Sequence, residues 1–428
     1  MRWLFLLAAL LLAGCVSAGP ARESLDSIAR DYVKLQLAIG EKEEGYIDAY
    51  YGPAEWQAEA KLKPAALPDL TARAGVLAVR LRSITGSRLD PMERRRRDFL
   101  LAQLRAASTR LRMMQGEKLS FADEAEGLFG VRPELKPLAA YDPVLARIEQ
   151  LVPGRGPLAE RVGAFQSRFD IARERLEPVM RAAIAECRRR TVAHVALPPN
   201  ERFTLEFVTG KSWGGYNWYK GDSNSLIQVN TDHPIRISRA VDLGCHEGYP
   251  GHHVYNLLLE EKLAKGRGWV EFTLYPLYSP QSFIAEGSAN YGKELAFPGD
   301  ERLRFETAIL YPLAGLPAKD ASAFGRLEEA IQELAGARFT IARDYLEGRI
   351  DRARAVELAQ RYQLISRARA EQSVAFTEQY RSYVINYGLG MDMVRSAVER
   401  AGAGPEARWA AMERMLSEPT LPSDLARR

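Results

Sequence analysis

Three of the chain's five histidines fall within eight positions, in Cys245-His246-Glu247-Gly248-Tyr249-Pro250-Gly251-His252-His253. Neutral imidazole is the commonest protein ligand for zinc, and a Glu beside a ligating His is what a zinc hydrolase uses to take a proton from water. A fold that accommodates such a site must hold these side chains around one point. In the common H-E-x-x-H motif the histidines sit at i and i+4 on one helical face. Here position i+4 is Pro250, and the next histidines fall at i+6 and i+7. On an unbroken helix, i+7 lies about 20° from the starting face and about 10.5 Å along the axis, a gap two imidazole arms can close, which selects His253. Pro250 removes a backbone donor and crowds the carbonyl of residue 246, so a kink or widened turn there brings His252 round instead. Both partners for His246 stand at this point. The plain alternative is a helix N-terminus with histidines on a solvated face.

A carboxylate to join them is offered by Glu286, in Phe283-Ile284-Ala285-Glu286-Gly287-Ser288-Ala289-Asn290-Tyr291. A helical Glu there completes a two-His, one-Glu site with a fourth position open to water, as in catalytic zinc centres. Asn290 lies one turn further on, where its side chain can hold a ligating His in place.

With both motifs in view, the chain resembles the domain-of-unknown-function 885 family of bacterial proteins, whose hallmarks are H-E-x-x-P-G-H-H and E-G-x-A-x-Y. Residues 246–253 match the first without a gap, and Glu286 to Tyr291 match the second, with Ser288 where the family usually has Trp. The resemblance runs from about residue 25 to 400. It implies a mainly α, two-lobed zinc-metallopeptidase-like fold with a small β-sheet beside the metal helix, related to the thimet-oligopeptidase and carboxypeptidase-Taq groups. The implied cofactor is one Zn²⁺.

Residues 1–14 carry Arg2, an apolar run from Trp3 to Leu12, and Ala13-Gly14 before Cys15. This reads as a secretory leader, too short for a comfortable membrane span. Leu12-Ala13-Gly14-Cys15 also reads as a lipobox, which makes Cys15 the diacylated mature N-terminus and residues 15–24 a tether. The protein is then expected in the bacterial cell envelope, lipid-anchored to the membrane, and the lack of Asp after Cys15 favours the outer membrane. A simple leader with a chance Cys is the alternative. Of the remaining cysteines, Cys187 and Cys245 either pair or stay buried, and spacing does not decide.

Net charge is +4 over 428 residues, too little to argue for nucleic acid as a partner. The run Arg94 to Arg97 precedes Asp98 and an apolar helical pattern, so it reads as a solvated helix face. With 46% hydrophobic residues the chain can bury a substantial core. Helical periodicity predicts segments near 25–46, 68–84, 90–114, 142–151 and 155–190, then 300–313, 318–347, 352–379 and 381–400. An N-terminal helical lobe over 25–200 and a catalytic lobe over 201–428 follow. Strand character appears at 202–208 and 225–230, separated by a Gly- and aromatic-rich loop over 213–219. An edge strand beside the metal could pair with an extended peptide, with the aromatic loop lining subsites.

Such a hydrolase needs an oxyanion donor and a grip for a substrate carboxylate. Tyr345, Arg381, Tyr383 and Tyr387 are the candidates, with Tyr383 catalytic and Arg381 and Tyr387 on the substrate. Arg381 to Gly390 is similar to the family's late Arg-Tyr stretch, with Asn386 and Tyr387 where Pro-Gly is usual. Each Tyr also reads as an amphipathic core residue. The functional expectation is a zinc-dependent peptidase acting on short peptides, with Glu247 as general base. The alternative is a non-catalytic envelope lipoprotein that keeps the metal as a fold element or binds peptides uncut. Glu247 separates them, since a structural site has no use for a carboxylate beside its first ligand.

Overall fold

The computed structural model describes residues 24–426, except the side chain of Arg88. The leader, Cys15 and nearly all of the tether lie outside the described residues. The first helix, Leu25–Gly40, starts where the Ser24 hydroxyl accepts from the Ser27 amide, and it buries Ile28, Tyr32, Leu35 and Ile39 along one stripe. The helix Pro91–Met114 begins in a capping box, Asp90 accepting from the Met92 and Glu93 amides while Glu93 reaches back to the Asp90 amide. Pro91 fills the first helical position, where a missing N–H costs nothing. The fold is mainly α.

Among the described residues, five short strands interrupt the helices: β1 Ile47–Tyr50, β2 Arg202–Val208, β3 Gly215–Gly221, β4 Asn224–Asn230 and β5 Leu274–Pro276. β1 pairs antiparallel with β5, and the other three form a sheet of order β2-β4-β3, with β2 parallel and β3 antiparallel to β4. The Gly- and aromatic-rich stretch expected to be a loop is therefore mostly strand β3. Its inward positions, Asn217, Tyr219 and Gly221, are too mixed in polarity to show the two-residue period. β1 falls just after the helical segment expected over 25–46, and four residues are too few to display any period.

Two hydrophobic cores result. The larger joins Ile28, Phe99, Met180, Leu257, Ile284 and Val394. The smaller packs Ile148 and Val162 against Leu327, Ile341, Leu358 and Val374. Each draws on both sides of residue 200. A cavity of about 480 Å³ is lined by Asp48, Gly215, His246 and Glu286, and by Arg338, Gln363 and Arg369 from helices that contribute to the smaller core. Among the described residues, no helix is long and apolar enough to cross a membrane.

The run Arg94 to Arg97 is only partly a solvated face: Arg94 is exposed, but Arg96 turns inward. Arg96 is 3% exposed and grips Glu271 through two bonds of 2.6 and 2.9 Å, with Asp26 at 2.5 Å on its other side. This clamp ties the two helices Leu25–Gly40 and Pro91–Met114 to the segment that leads into β5. Breaking a buried pair from one side strands the other charge. Arg96→Ala should therefore lower unfolding free energy by about 3–5 kcal/mol, measured by urea denaturation. Arg94→Ala, whose side chain reaches only the Gly86 and Leu89 carbonyls at the surface, should cost far less.

Candidate metal centre

The helix Ile237–Leu243 runs directly into a wider π-type turn, Gly244–Gly248, which carries His246 and Glu247. The chain leaves the helix at Tyr249, passes a cis peptide to Pro250, and resumes as the helix His252–Leu259. Gly251 is required by a close approach. A Cβ there would lie 1.8 Å from the carbonyl oxygen of His246, which no side chain can occupy. Cys187 and Cys245 form a disulfide that fastens this turn to the helix Arg173–Val192.

The break decides between the histidines. His246 Nε2 and His252 Nε2 face each other at 3.1 Å, and Glu286 approaches them at 3.2 and 3.8 Å respectively. His253 does not join them. Consecutive helical residues point about 100° apart, and His253 turns into the core, where Nδ1 pairs with Ser225 Oγ at 2.8 Å and Nε2 with Glu201 at 3.1 Å. Arg188 and Tyr249 also donate to Glu201. Burial pushes the Glu201 carboxyl up, but these donors outweigh it and hold it at about 2. The Ser-His-Glu order imitates a hydrolytic triad. However, His253 is 0% exposed and none of the three lines the cavity, so the group seats the helix that presents His252.

Glu286, on the helix Pro280–Ala296, accepts a hydrogen bond from the Tyr383 hydroxyl at Oε1 (2.8 Å). Its Oε2 is buried with no hydrogen-bond partner among the described residues. Burial would raise this carboxyl, yet the imidazoles of His252 and His246 hold it well below the usual range. Conversely, burial would lower His252, and the carboxylates of Glu286, Glu247 and Asp48 lift it to about 9. Asn290 holds no histidine. Its amide donates to the backbone carbonyls of Glu286 (3.0 Å) and Tyr387 (3.2 Å), bridging two helices. Tyr387 lies parallel to the His246 ring, with centres 6.4 Å apart. Arg381 does not line the cavity: it bonds Glu124 at 2.8 Å. Tyr345 likewise turns away, to Glu378.

Glu247 is buried and lines the cavity without belonging to the three-donor cluster. Burial pushes its carboxyl up. β3 runs beside it: the Asn217 amide donates to the Glu247 carbonyl (2.7 Å), and a Cβ on Gly215 would fall 2.6 Å from Glu247 Oε1. Asp48, from β1, is a further carboxylate here, and it takes a hydrogen bond from the Tyr216 hydroxyl. Burial raises it to about 6. No motif marks Asp48 in the sequence, and none marks Arg338 across the cavity.

His246, His252 and Glu286 each offer one ligand atom within 4.8 Å of the others. Ligand atoms of a tetrahedral ion with bonds of 2.0–2.1 Å lie about 3.3 Å apart, close to the 3.1 and 3.2 Å that His246 makes with His252 and Glu286, while His252 and Glu286 stand wider at 3.8 Å. Together with the buried Glu286 Oε2, which lies 3.2 Å from His246 Nε2 yet makes no hydrogen bond among the described residues, this spacing fits a metal ion.

Fold and site thus define a mainly α protein with a cleft whose wall carries a two-His, one-Glu group able to hold a metal. No family model matches the chain, and no curated protein does. Among solved structures, a candidate lipoprotein from Colwellia psychrerythraea superposes with a TM-score of 0.52 at 17% identity, covering 84% of this chain and 68% of that one, so the two share a fold. The M32 carboxypeptidase from Deinococcus radiodurans R1 aligns at 14% identity over 92% of this chain and 88% of that one, with a TM-score of 0.35, too low to mark a shared fold.

The two adjacent histidines should separate cleanly by mutation. His252→Ala should weaken zinc binding by more than about a hundredfold, the upper range seen when mere supporting contacts are lost. His253→Ala keeps all three donors and should instead cost about 1–3 kcal/mol of stability by stripping a partner from buried Glu201. Calorimetric zinc titration and thermal unfolding of both variants provide the check.

Proposed function

We propose that this protein is a zinc-dependent peptidase acting on short peptides, with His246, His252 and Glu286 holding the ion and Glu247 as general base. The observation that carries the reading is Glu247: a carboxylate lining the same cavity as the three donors, next in sequence to one of them, and not itself in the cluster. The motif resemblance to the domain-of-unknown-function 885 family, carried by residues 246–253 and 286–291 and so by Glu247 itself, points the same way. A donor set of two imidazoles and one carboxylate suits zinc, which when bound supplies Lewis acidity toward a carbonyl and acidifies water. Glu247 takes the proton from the attacking water and passes it to the leaving amine, a task for which a carboxyl raised by burial is suited. Tyr383 orients Glu286 through its hydroxyl. β3 has β4 on one side only, so its other edge can pair with an extended peptide beside Glu247. A cavity of about 480 Å³ suits a few residues.

Glu247→Gln should retain zinc and lose turnover by about 10²- to 10⁴-fold, tested by screening a peptide library with both proteins. Equal cleavage would remove Glu247 as the base. No zinc-dependent cleavage of any peptide would favour a non-catalytic metal-containing envelope lipoprotein.

The same reading puts the protein in the cell envelope, anchored through a lipidated Cys15. The leader and lipobox support this, and so does the Cys187–Cys245 disulfide, which belongs to an oxidising compartment. Stable anchoring requires more than one acyl chain, which diacylation supplies. Cys15→Ser should move the protein from the membrane fraction to the soluble fraction. Retention on the membrane would mean another anchor.

A further inference from the structure

Arg338 has an arrangement that the peptidase chemistry leaves unexplained. It sits on the helix Ala337–Leu346 and lines the cavity, its guanidinium carbon 4.8 Å from the ring centre of Phe376 and 6.0 Å from that of Tyr387. Among the described residues no carboxylate lies within ion-pair distance of it, and its Nε is buried without a hydrogen-bond partner. Burial pulls its pKa below the usual arginine value. Arg338 is half-buried, and a guanidinium partly withdrawn from water with no anion beside it is costly, which aromatic faces offset only in part. Arg369, on the helix Arg367–Tyr380, lines the same cavity and donates only to the Pro234 carbonyl at 3.1 Å among the described residues. Burial, with Arg236 and Arg239 adding to it, lowers its pKa to about 10. Among the described residues, none of the cavity's carboxylates, Glu247 included, forms an ion pair with Arg338 or Arg369. Asp242 is engaged by Lys293, Arg302 and Arg239, Glu286 lies against the histidines, and Asp48 is bound by Tyr216.

We propose that Arg338, assisted by Arg369, binds a carboxylate of the substrate, so that this protein takes peptides carrying a carboxylate close to the bond that is cut. The position sets how close. The Tyr387 ring centre lies 6.0 Å from the Arg338 guanidinium carbon and 6.4 Å from the His246 ring centre, which leaves those two no more than about 12 Å apart. An extended peptide advances about 3.4 Å per residue. The carboxylate therefore falls within roughly three to four residues of the scissile bond. A free C-terminus and an acidic side chain supply the same chemistry. The guanidinium fork suits either, since it meets both carboxylate oxygens at once. The role that the sequence suggests for Arg381 thus passes to Arg338.

This proposal rests on the peptidase reading for its scissile bond, and binding separates the two. The probes are N-acetylated trialanine with a free C-terminus, the same peptide as its C-terminal amide, and that amide with aspartate as its last residue. Binding is measured by calorimetry on the full zinc-loaded chain carrying Glu247→Gln, so that nothing is consumed. The free acid, the aspartate amide or both should bind about tenfold or more tighter than the plain amide. Adding Arg338→Gln should bring that ratio to near one, whereas Arg338→Lys should leave it in between. The ratio is internal to each protein. If the glutamine variant does not fold, the lysine variant decides, an unchanged ratio overturning the proposal. Equal binding of all three probes with Arg338 present also overturns it. Arg338-dependent discrimination in a protein whose wild type cuts no peptide would uphold the carboxylate site and defeat the peptidase reading. Cleavage without discrimination would do the reverse.

Discussion

The two helices Pro280–Ala296 and Ile385–Arg400 touch backbone to backbone, and the cleft depends on that contact. A Cβ on Gly287 would lie 2.6 Å from the carbonyl carbon of Gly390, so anything larger than glycine pushes the helices apart. Glu286 is the residue before Gly287, and its position against Tyr383 and Tyr387 follows from the same approach. Asn290, one turn on, stitches the pair together through two backbone carbonyls. Farther along, Gly388 makes room for Phe339, whose ring would sit 2.4 Å from an added Cβ. Phe339 follows Arg338 in sequence. The helix Ile385–Arg400 thus sets the position of both the Glu286 carboxylate of the three-donor cluster and the Arg338 guanidinium.

Charge makes this arrangement conditional. Asp48, Glu247 and Glu286 share one enclosed space with two imidazoles, and burial raises the first two carboxyls while the imidazoles depress the third. Carboxylates crowded out of water favour whatever brings positive charge among them. A divalent cation does this at one point. Behind it, Ser225 and Glu201 hold the last histidine of the motif, His253, turned into the core.

Long amphipathic helices were legible because their signal repeats: 90–114 and 142–151 in the sequence become Pro91–Met114 and Asp142–Leu151. The segment 155–190 instead divides into Leu158–Gln166 and Arg173–Val192, because Asp170 leaves the helical path to bridge Arg236. A pairing across such a span has no local trace. The site follows the same rule. His246, Glu247 and Glu286 lie in compact motifs, whereas the choice of His252 over His253 turns on how Tyr249-Pro250-Gly251 folds back on His246, and helical pitch points the other way. Arg381 looked available because its partner, Glu124, is 257 residues away. Asp48 and Arg338 reach the cavity only through packing, so they carried no signal.

The disulfide at Cys245 has a topological consequence. It closes a loop back to Cys187, 58 residues earlier, and an ion shared by His246 and Glu286 would close another running forward. The two loops meet at neighbouring residues. In chain-entropy terms the first loop alone restricts the unfolded chain by about 4 kcal/mol, and the second adds to it at nearly the same node. With an ion bound, the turn that presents His246 would be anchored from both directions along the chain, once by a covalent bond and once by coordination.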